Sequence, residues 1–453
     1  IYVVGSLISS PIIRASAYTK LLPIVNSSFV EDVEEVSYDQ IPMLDEASAM
    51  KLGDRKLGEL ADMVSQFEVA DNYTQINYRN RPVRVTPLRY GDLIKWFNNR
   101  SEGLPAYIII DMVTQKVDVV RLSEGMKYSD AEHFGRNIYR YLRFKYPTFM
   151  FDRANFEIDE DGIPYWVCPK LEKTIGLFGG TDINGAVLVN AITGESRYYA
   201  ADEVPTWVDR VYIADLLIEQ YDYYGRYING FINSLLGQKG VTQTTDGYNY
   251  IAMNDDVYMY TGITSAGADQ SNIGFILVNQ RTKQATYYSI AGAEEYSAMS
   301  SAQGVVQDLG YRSTFPLLLN ISSQPTYFMA LKDGAGLVKA YAMVNVQQYQ
   351  IVATGPTVAS CEKNYLDLMI QHGLITKEEV EQYSESGEVA EIRTAVLSGT
   401  SYYYVRLEGD SYYYVISAAE SEEVVIIDVG DRVTVDYTGT EGSLRPAYKI
   451  TRD

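Results

Sequence analysis

The sequence contains few of the residues that carry common active-site chemistry. Its 453 residues include two cysteines, two histidines and three tryptophans. Cys168 and Cys361 are far apart and have no neighbours at metal-ligand spacing, so neither a zinc motif nor a cysteine-rich disulfide scaffold is predicted. Such scarcity is typical of a bacterial cytoplasm, or of a bacterial surface that does not rely on disulfides.

The histidines have no catalytic neighbours in the sequence. His133 is predicted within a helix over 129–146, and His372 precedes Gly373 at the end of another helix. No Gly-x-Ser-x-Gly elbow is present, which removes the usual signal for a serine hydrolase. The glycine-containing loops 179–182 and 266–269 lack a Lys-Ser/Thr ending, so we interpret them as strand connections rather than phosphate sites. No organic cofactor is predicted.

Basic residues are outnumbered. The chain has 38 Lys and Arg against 59 Asp and Glu, a formal net charge of −21. The electrostatic field of this negative charge repels nucleic-acid backbones and anionic lipid, and it favours solubility and cationic or divalent partners. Acids also outnumber bases within 390–451, a region with aromatic residues. A nucleic-acid partner is therefore not predicted.

Long apolar runs are missing as well. No stretch reaches the roughly 18 apolar residues that a membrane-spanning helix needs. Residues 1–13 are apolar but shorter, and we interpret them as the remnant of a membrane anchor or signal segment, with a strand as the alternative. Attachment to a membrane through a segment before Ile1 is thus one prediction for this chain.

Tyrosine, in contrast, is abundant, with 40 residues. Many are adjacent pairs within predicted strands, where high β-propensity explains them. The alternative is that their large, amphipathic side chains form interaction surfaces. The candidates for such surfaces are Tyr198, Tyr199, Tyr287, Tyr288, Tyr402, Tyr404, Tyr412 and Tyr414.

One hairpin pattern occurs three times and organises the chain. An apolar strand ends in Asp111, Asn190 or Asn279, a Thr follows three residues later, and a second strand begins. Asx and Thr side chains bond locally to turn backbone, which explains the pattern. Strands and a helix accompany each hairpin, including a long helix predicted from Pro205.

These features predict an α+β protein. Three tandem units, each an antiparallel sheet with a covering helix, are assigned to 71–150, 151–240 and 241–355, and strands over 315–346 are assigned to the third unit. Residues 1–70 form an N-terminal segment of linker and short helices. A helical linker spans 356–388, with a capping box at 376–379. Five or six short strands over 389–453 predict a small β-barrel of the OB or SH3 type.

Two acidic turns are candidate metal sites. Asp159 and Asp161 in one, and Asp255 and Asp256 in the other, place oxygen atoms close together, as calcium requires. Neither has EF-hand spacing, and the same residues form hairpin turns for backbone reasons, which is the preferred interpretation.

The second unit resembles a PepSY domain. The residues that carry the resemblance are 156–159 (Phe-Glu-Ile-Asp), 162–167 (Gly-Ile-Pro-Tyr-Trp-Val) and 187–195, with Asn190 in place of the usual Asp and Ser196 before Arg where an apolar residue is usual. Segments 94–100 and 205–211 also make the chain similar to large envelope proteins of anaerobic Gram-positive bacteria. The resemblance implies an extracytoplasmic, non-catalytic role in binding or inhibiting a partner, and it supplies no catalytic residue.

The leading functional prediction is a non-enzymatic envelope protein that binds another protein or itself, including as a homo-oligomer. The location predicted is the cell surface or the extracytoplasmic side of a bacterial membrane, with the cytoplasm as the alternative. The first alternative function is binding of cell-wall polysaccharide or peptidoglycan through aromatic faces. The second is a hydrolase with a pair of carboxylates. A pocket that holds two carboxylates about 5–10 Å apart would support this alternative.

Overall fold

The computed structural model describes residues 2–36, 41–267, 271–376, 382–397, 400–438 and 443–452. It divides into two compact units, which are described separately below. The first comprises residues 1–27 and 42–290, and the second comprises 28–41 and 291–453.

The structure is mixed α+β with several antiparallel sheets and a small closed barrel near the C-terminus, as predicted in outline. The ten described helices are α1 (Tyr2–Ser9), α2 (Pro11–Tyr18), α3 (Phe29–Asp32), α4 (Glu46–Gly58), α5 (Leu93–Asn99), α6 (Ile138–Lys145), α7 (Ala214–Tyr227), α8 (Phe231–Leu236), α9 (Glu295–Val305) and α10 (Val358–Gln371). No described helix has both the length and the apolar character needed to cross a bilayer.

Apart from two further short strands, the described strands form four open sheets and one barrel. Sheet 1 has β2 (Phe67–Val69), β3 (Thr74–Tyr78), β4 (Arg81–Tyr90), β5 (Leu104–Asp111) and β6 (Val117–Met126). Sheet 2 has β7 (Met150–Phe151), β8 (Asn155–Ile158), β9 (Pro164–Ile175), β10 (Gly179–Asn190) and β11 (Ser196–Ala200). Sheet 3 has β1 (Ile24–Ser27), β12 (Thr242–Thr244), β13 (Asn249–Met253), β14 (Asp256–Ser265), β16 (Gly274–Asn279) and β17 (Ala285–Tyr288).

Sheet 4 lies in the second unit and corrects the predicted division into three. It has β19 (Arg312–Ser313), β20 (Leu317–Ile321), β21 (Gln324–Lys332), β22 (Val338–Asn345) and β23 (Val352–Gly355). Two further short strands, β15 (Ser271–Asn272) and β18 (Gly292–Ala293), belong to none of the four sheets. The strands predicted over 315–346 therefore do not extend sheet 3. All four sheets contain one order, in which a short strand, a long strand, a third and a fourth lie side by side and a hairpin partner pairs with the long one; sheet 3 adds β1, which pairs in parallel with β17.

The turn after the third strand of each sheet has the same bonding. Asp111, Asn190, Asn279 and Asn345 each accept two backbone N–H bonds, from the residues two and three positions later. These Asx turns close the hairpins without help from distant parts of the chain. The fourth turn has no Thr at the third position, and for this reason the sequence pattern did not reveal it.

Sheet 2 forms the middle layer of the first unit. On β10, Val187 and Val189 belong to a core shared with sheet 1, whereas Ala186 and Leu188 belong to a core shared with α7 and sheet 3. Since successive strand residues point to opposite faces, a strand covered on both faces must be apolar throughout. This burial explains why residues 186–189 are a continuous apolar run.

Two helices of the first unit begin or end away from their predicted positions. The helix predicted from Pro205 begins at Ala214, because residues 205–213 form turns in which Val208 and Val211 are buried. The helix predicted over 129–146 contracts to α6, so His133 lies outside it. In the N-terminal segment, where short helices were predicted, Asp45 caps α4, and residues 2–18 form two helices rather than the strand given as the alternative.

In the second unit, the predicted helical linker is part of a packed layer. α10 lies against β22 and β23, and α9 lies against sheet 4 from β19 to β23. The side chain of Thr357 caps α10 in a capping box with Ser360. The capping box predicted at 376–379 lies mostly outside the described residues, which end at 376 in this part of the chain.

The barrel begins earlier than predicted, at residue 382 instead of 389. It is closed by β24 (Gln382–Leu397), β25 (Thr400–Leu407), β26 (Tyr413–Ser417), β28 (Leu444–Arg452) and β27 (Arg432–Thr438), in that order around the barrel. β26 and β28 pair in parallel, whereas the other neighbours are antiparallel. A 3-10 turn over Glu422–Val425 lies between β26 and β27.

Candidate binding surfaces

The acidic turns act as turn formers. One carboxylate oxygen of Asp159 accepts the backbone N–H groups of Asp161 and Ile163, at 3.0 and 2.8 Å. Asp256 is buried and forms an ion pair with Arg281, with an oxygen–nitrogen distance of 2.6 Å. Within the described part of the chain, no group of three or more His, Cys, Asp or Glu side chains could hold a metal ion. Calcium binding stays a prediction.

Asp255 has a different role, because its backbone lies in the left-handed region with a φ of 61°. Asn254 has a φ of 52°, so the two residues form the tight turn between β13 and β14. Asn and Asp tolerate this conformation better than most residues, which explains their presence here without a metal.

The tyrosine candidates do not form one surface. Tyr288 and Tyr414 are buried in the core, at 3% and 0% exposed, which corrects their assignment as interaction residues. The hydroxyls of Tyr198 and Tyr287 donate to backbone carbonyls within their own sheets, at 3.0 and 3.1 Å. Adjacent tyrosines on a strand face opposite sides, so a pair cannot belong to one flat patch. The remaining candidates, Tyr199, Tyr402, Tyr404 and Tyr412, are half-buried.

Several tyrosines instead fill one end of the barrel around Glu385. One oxygen of this carboxylate accepts the hydroxyls of Tyr412, Tyr414 and Tyr437, at 3.0, 2.8 and 3.4 Å. The rings of Tyr414 and Tyr437 contact edge to face, with centroids 5.0 Å apart. Burial raises the pKa of Tyr414, so its hydroxyl stays protonated and can donate. This cluster satisfies polar groups inside the barrel and is structural.

The outer side of β24, β25 and β26 carries a different group, here named the barrel cluster: Glu391, Arg393, Tyr404, Arg406 and Tyr413. The Glu391 carboxylate accepts the Tyr413 hydroxyl at 2.7 Å and Arg393 Nε at 2.7 Å. Arg406 donates to the same carboxylate from Nε and Nη2, at 3.3 and 3.2 Å. Four side chains from three strands are thereby held in one arrangement on the barrel surface, and Tyr404 lies opposite Arg393 in the strand register.

Electrostatics maintain the barrel cluster across the physiological pH range. The hydrogen bonds from Tyr413 and Arg393 lower the pKa of Glu391 to about 2. Both guanidinium groups also lie over the Tyr413 ring, at 5.4 and 5.9 Å from its centroid. With one carboxylate and two guanidinium groups, the barrel cluster has a local excess of positive charge on a chain whose net charge is −21.

A second polar group lies inside the first unit and involves two buried carboxyls. Glu157 is 0% exposed and accepts the backbone N–H groups of Asp209 and Arg210, at 2.9 and 3.1 Å. Asp209 is 1% exposed and accepts the N–H of Asn77 at 2.6 Å. These bonds fix the segment before α7 to strands of two sheets. Because the chain in this segment is not helical, its N–H groups need such acceptors.

The pKa values of the two carboxyls are raised. Burial raises the pKa of Glu157 to about 7, although the two backbone N–H groups and the charge of Arg210 oppose the shift. Burial and the neighbouring charge of Glu157 raise the pKa of Asp209. Raised carboxyl pKa values are common at catalytic sites. Here both side chains are closed off from solvent, so the pair does not provide a site that a polysaccharide could reach.

Buried donors without partners lie in the same unit. Among the described residues, Arg84 Nε, Arg210 Nε and Nη2, and both amide atoms of Gln75 have no hydrogen-bond partner. The Arg210 guanidinium stacks on the Tyr250 ring at 4.0 Å, which partly compensates its charge. These atoms have almost no exposed surface, so a ligand cannot reach them in this conformation.

Surface pockets offer the hydrolase alternative one location. A pocket of about 290 Å³ contains Asp71 and Asp130 beside Arg89, and Asp71 forms an ion pair with Arg89 at 2.8 Å. A larger pocket of about 460 Å³ is lined by residues of α7 alone, so its carboxylates all point from one helix face. Neither arrangement identifies a reaction, and the hydrolase stays an untested alternative.

The cysteines and His133 have structural surroundings. Cys168 and Cys361 are free and buried, and burial raises the pKa of both thiols. The His133 ring contacts the Trp96 indole edge to face, with centroids 4.6 Å apart. His372 ends α10 as its C-cap residue. Of the segments interpreted as strand connections, 179–182 forms the start of β10 instead, and residues 268 and 269 lie outside the described residues.

Comparisons with known proteins do not assign this chain to a class. No protein-family model matches it, and no curated protein matches it. Among solved structures, the chain is similar to the crystal structure of polysaccharide lyase Uly1, with 9% sequence identity over 84% of this chain and 75% of that chain. The TM-score of 0.18 is too low to indicate a shared fold, so nothing about the lyase is transferred to this protein.

Sequence reasoning did not predict the barrel cluster or the buried carboxyl pair. A signal for the first was present, because Glu391 and Arg393 alternate on one strand and therefore share a face. Arg406 and Tyr413 join them only through strand register, which no local pattern specifies. For Glu157 and Asp209 the sequence contains no signal, since 52 residues separate them.

Proposed function

We propose that this protein is a non-enzymatic binding protein on the extracytoplasmic side of a bacterial envelope, and that the barrel cluster is its binding surface. The observation that supports this proposal is the arrangement of Arg393, Arg406 and Tyr413 around one ionised carboxylate, Glu391. Arg and Tyr are the residues most enriched at the energetic centres of protein interfaces.

The arrangement lowers the entropic cost of binding. A surface arginine normally loses considerable side-chain freedom when a partner fixes it. Here Glu391 holds one edge of each guanidinium before a partner arrives. The Arg393 side chain is 66% exposed and uses Nε for Glu391, so its terminal nitrogens face solvent. A partner with carboxylate groups would meet donors that are already oriented.

The partner we favour is a protein surface rich in carboxylates, including the surface of a second copy of this chain. A local positive cluster on a chain of net charge −21 is complementary to most of the remaining surface of an identical molecule. This complementarity supports the predicted self-assembly more directly than the tyrosine pairs do, because two of those tyrosines, Tyr288 and Tyr414, are buried.

An acidic cell-wall polysaccharide is the second candidate, and the barrel topology favours it. The order β24, β25, β26, β28, β27 with a parallel β26–β28 pair is the strand order of an OB barrel. OB barrels bind oligonucleotides and oligosaccharides on the face of their second and third strands. Tyr404 lies on the second strand of this barrel, and Tyr413 lies on the third.

Light scattering across a concentration series tests self-association, and co-sedimentation with purified peptidoglycan or acidic wall polysaccharide tests the second candidate. The variant R393Q/Y413A removes an exposed donor and the ring beneath it. The matched control R312Q/Y349A changes the same residue types in sheet 4, where Arg312 on β19 and Tyr349 in the β22–β23 connection are exposed.

We expect a multiple of the 50.9 kDa chain mass, reduced by R393Q/Y413A and by added salt, with the control unchanged. Binding of the polysaccharide by a monomer, with the same dependence on the barrel cluster, would select the second candidate. A monomer that binds neither polysaccharide, or variants that behave alike, would contradict the barrel cluster as the binding surface.

A further inference from the structure

The N-terminal helices carry an apolar surface that is independent of the barrel cluster. Seven large apolar side chains of α1 and α2 are exposed, among them Val3 at 77%, Val4 at 60% and Ile12 at 61%. Apolar patches of this kind are rare on soluble monomers and usually mark an interaction site. The exposed members on these two helices are Tyr2, Val3, Val4, Leu7, Ile8, Ile12 and Ile13.

Two further segments extend this surface. The tip of the β9–β10 hairpin adds Leu177 and Phe178, at 60% and 43% exposed. It is fixed to α1, because Ser9 Oγ accepts the N–H groups of both residues, at 2.9 and 3.1 Å. α8 adds Leu235 and Leu236, at 62% and 84% exposed.

A small core beneath these segments holds them together. Tyr18 of α2, Ile175 of the hairpin and Tyr227 of α7 are buried against one another, and Phe231 of α8 packs on the same cluster. The Tyr18 hydroxyl also donates to the carbonyl of Ser9 at 2.6 Å. The exposed apolar residues are therefore presented by a folded support, here named the apolar platform: residues 2–27, 173–181 and 227–245.

The charge of the apolar platform identifies its occupant. The three segments contain four basic residues and no Asp or Glu, in a chain that has 59 acidic residues. The basic residues, all exposed, are Arg14, Lys20, Lys173 and Lys239. Large exposed aliphatic and aromatic residues flanked by cations match the boundary between the acyl chains and anionic headgroups of a bilayer.

We propose that the apolar platform docks on the surface of an anionic lipid bilayer, with its apolar side chains inserted at the headgroup boundary. The net charge of −21 does not oppose this, because salt screens charges beyond roughly 8–10 Å and leaves the local cations dominant. The proposed contact is interfacial, with short helices and a hairpin tip lying at the headgroup boundary. The docking involves no residue of the barrel cluster and goes beyond the proposed function.

The test is co-sedimentation of the full chain with vesicles. We compare phosphatidylcholine vesicles with vesicles that also contain phosphatidylglycerol. Binding to the anionic vesicles and its loss in high salt are expected. Each basic residue near an anionic surface contributes about a fivefold increase in affinity, so R14Q/K173Q should bind roughly 25-fold more weakly. No binding to the anionic vesicles would overturn the proposal.

Apolar insertion is tested separately with L7S/F178S/L236S, which changes one exposed residue on each segment. The matched control L93S/I94S/F97S changes three residues of α5 that are 64%, 73% and 59% exposed and lie outside the apolar platform. We expect the first variant to lose vesicle binding and the control to keep it, with the circular dichroism spectra of both unchanged. Equal loss in both variants would overturn the proposal.

A second copy of the chain is the competing occupant. Suppose that L7S/F178S/L236S lowers the particle mass measured by light scattering and that the wild-type protein does not bind vesicles. The apolar platform is then a subunit interface, and the lipid proposal is wrong. The same scattering experiment on R393Q/Y413A tests the barrel cluster, so failure of one proposal is distinguishable from failure of the other.

Discussion

Replacing Glu157 with Gln should change how the stability of the first unit depends on pH. Glu157 is fully buried, and its pKa is raised from 4.5 to about 7. In the unfolded chain the carboxyl ionises near 4.5, so between about pH 4.5 and 7 the folded state binds more protons than the unfolded state. The free energy of unfolding therefore falls as pH rises through this window.

The size of this pH dependence follows from the shift in the pKa of Glu157. Each pKa unit corresponds to 1.36 kcal/mol, so the shift of Glu157 makes the folded state about 3 kcal/mol less stable at pH 7.5 than at pH 4.5. Gln cannot ionise, and E157Q removes this contribution. It also replaces one acceptor oxygen by NH₂ opposite a backbone N–H, which costs about 1–3 kcal/mol at every pH.

The informative quantity is therefore the difference between the pH profiles and not the stability at one pH. The measurement is denaturant unfolding from pH 4.5 to 7.5, followed by tryptophan fluorescence. All three tryptophans, Trp96, Trp166 and Trp207, belong to the first unit, so the signal reports on that unit. We expect the wild-type profile to fall by about 3 kcal/mol or more relative to that of E157Q, because E157Q also removes the charge that raises the pKa of Asp209.

The control is E160Q, which changes an exposed carboxyl on the turn that follows the same strand. Its profile should run parallel to that of the wild type. If the E157Q profile also runs parallel to the wild type, Glu157 has an ordinary pKa in the folded protein. The interpretation of Glu157 and Asp209 as a buried pair with raised pKa values would then be refuted.

Three further predictions concern single sites. N190A removes the acceptor of two turn N–H groups and should lower the free energy of unfolding by about 1–3 kcal/mol, whereas N190D should lower it less, as denaturant titration will show. G194A should destabilise the same turn, because φ is 74° and the added Cβ would meet the Tyr128 ring; an unchanged Tm would contradict this. Cys168 and Cys361 should not react with a thiol reagent in the folded protein, and two thiols should react after unfolding.

The hairpins and turns were predictable from the sequence. Asp-Gly at 161–162 and Arg-Asn at 79–80 lie in turns between antiparallel strands, and both members of the second pair have positive φ. The Asx-x-x-Thr pattern predicted three of the four equivalent turns. Such features depend on bonds within a few residues, so the local sequence contains the information that specifies them.

Burial and helix boundaries depended on the tertiary structure. Tyr402 and Tyr414 look alike as members of tyrosine runs, yet Tyr414 is fully buried around Glu385 and Tyr402 is half-buried. The segment before α7 is not helical, and Glu157 on β8 accepts the N–H groups of its residues Asp209 and Arg210. Both outcomes require contacts between residues that are distant in sequence.

The sequence by itself determined that the chain is α+β, that its sheets are built from Asx-ended hairpins, and that a small β-barrel follows them. Alternating apolar residues and turn chemistry are sufficient for these conclusions, since both act over short distances. Only the tertiary structure decided that there are four sheets, that the barrel cluster gathers residues from three strands, and that the apolar platform combines three cation-bearing segments without acids. Strand register and packing bring these residues together, and both are set by the burial of apolar surface across the whole unit.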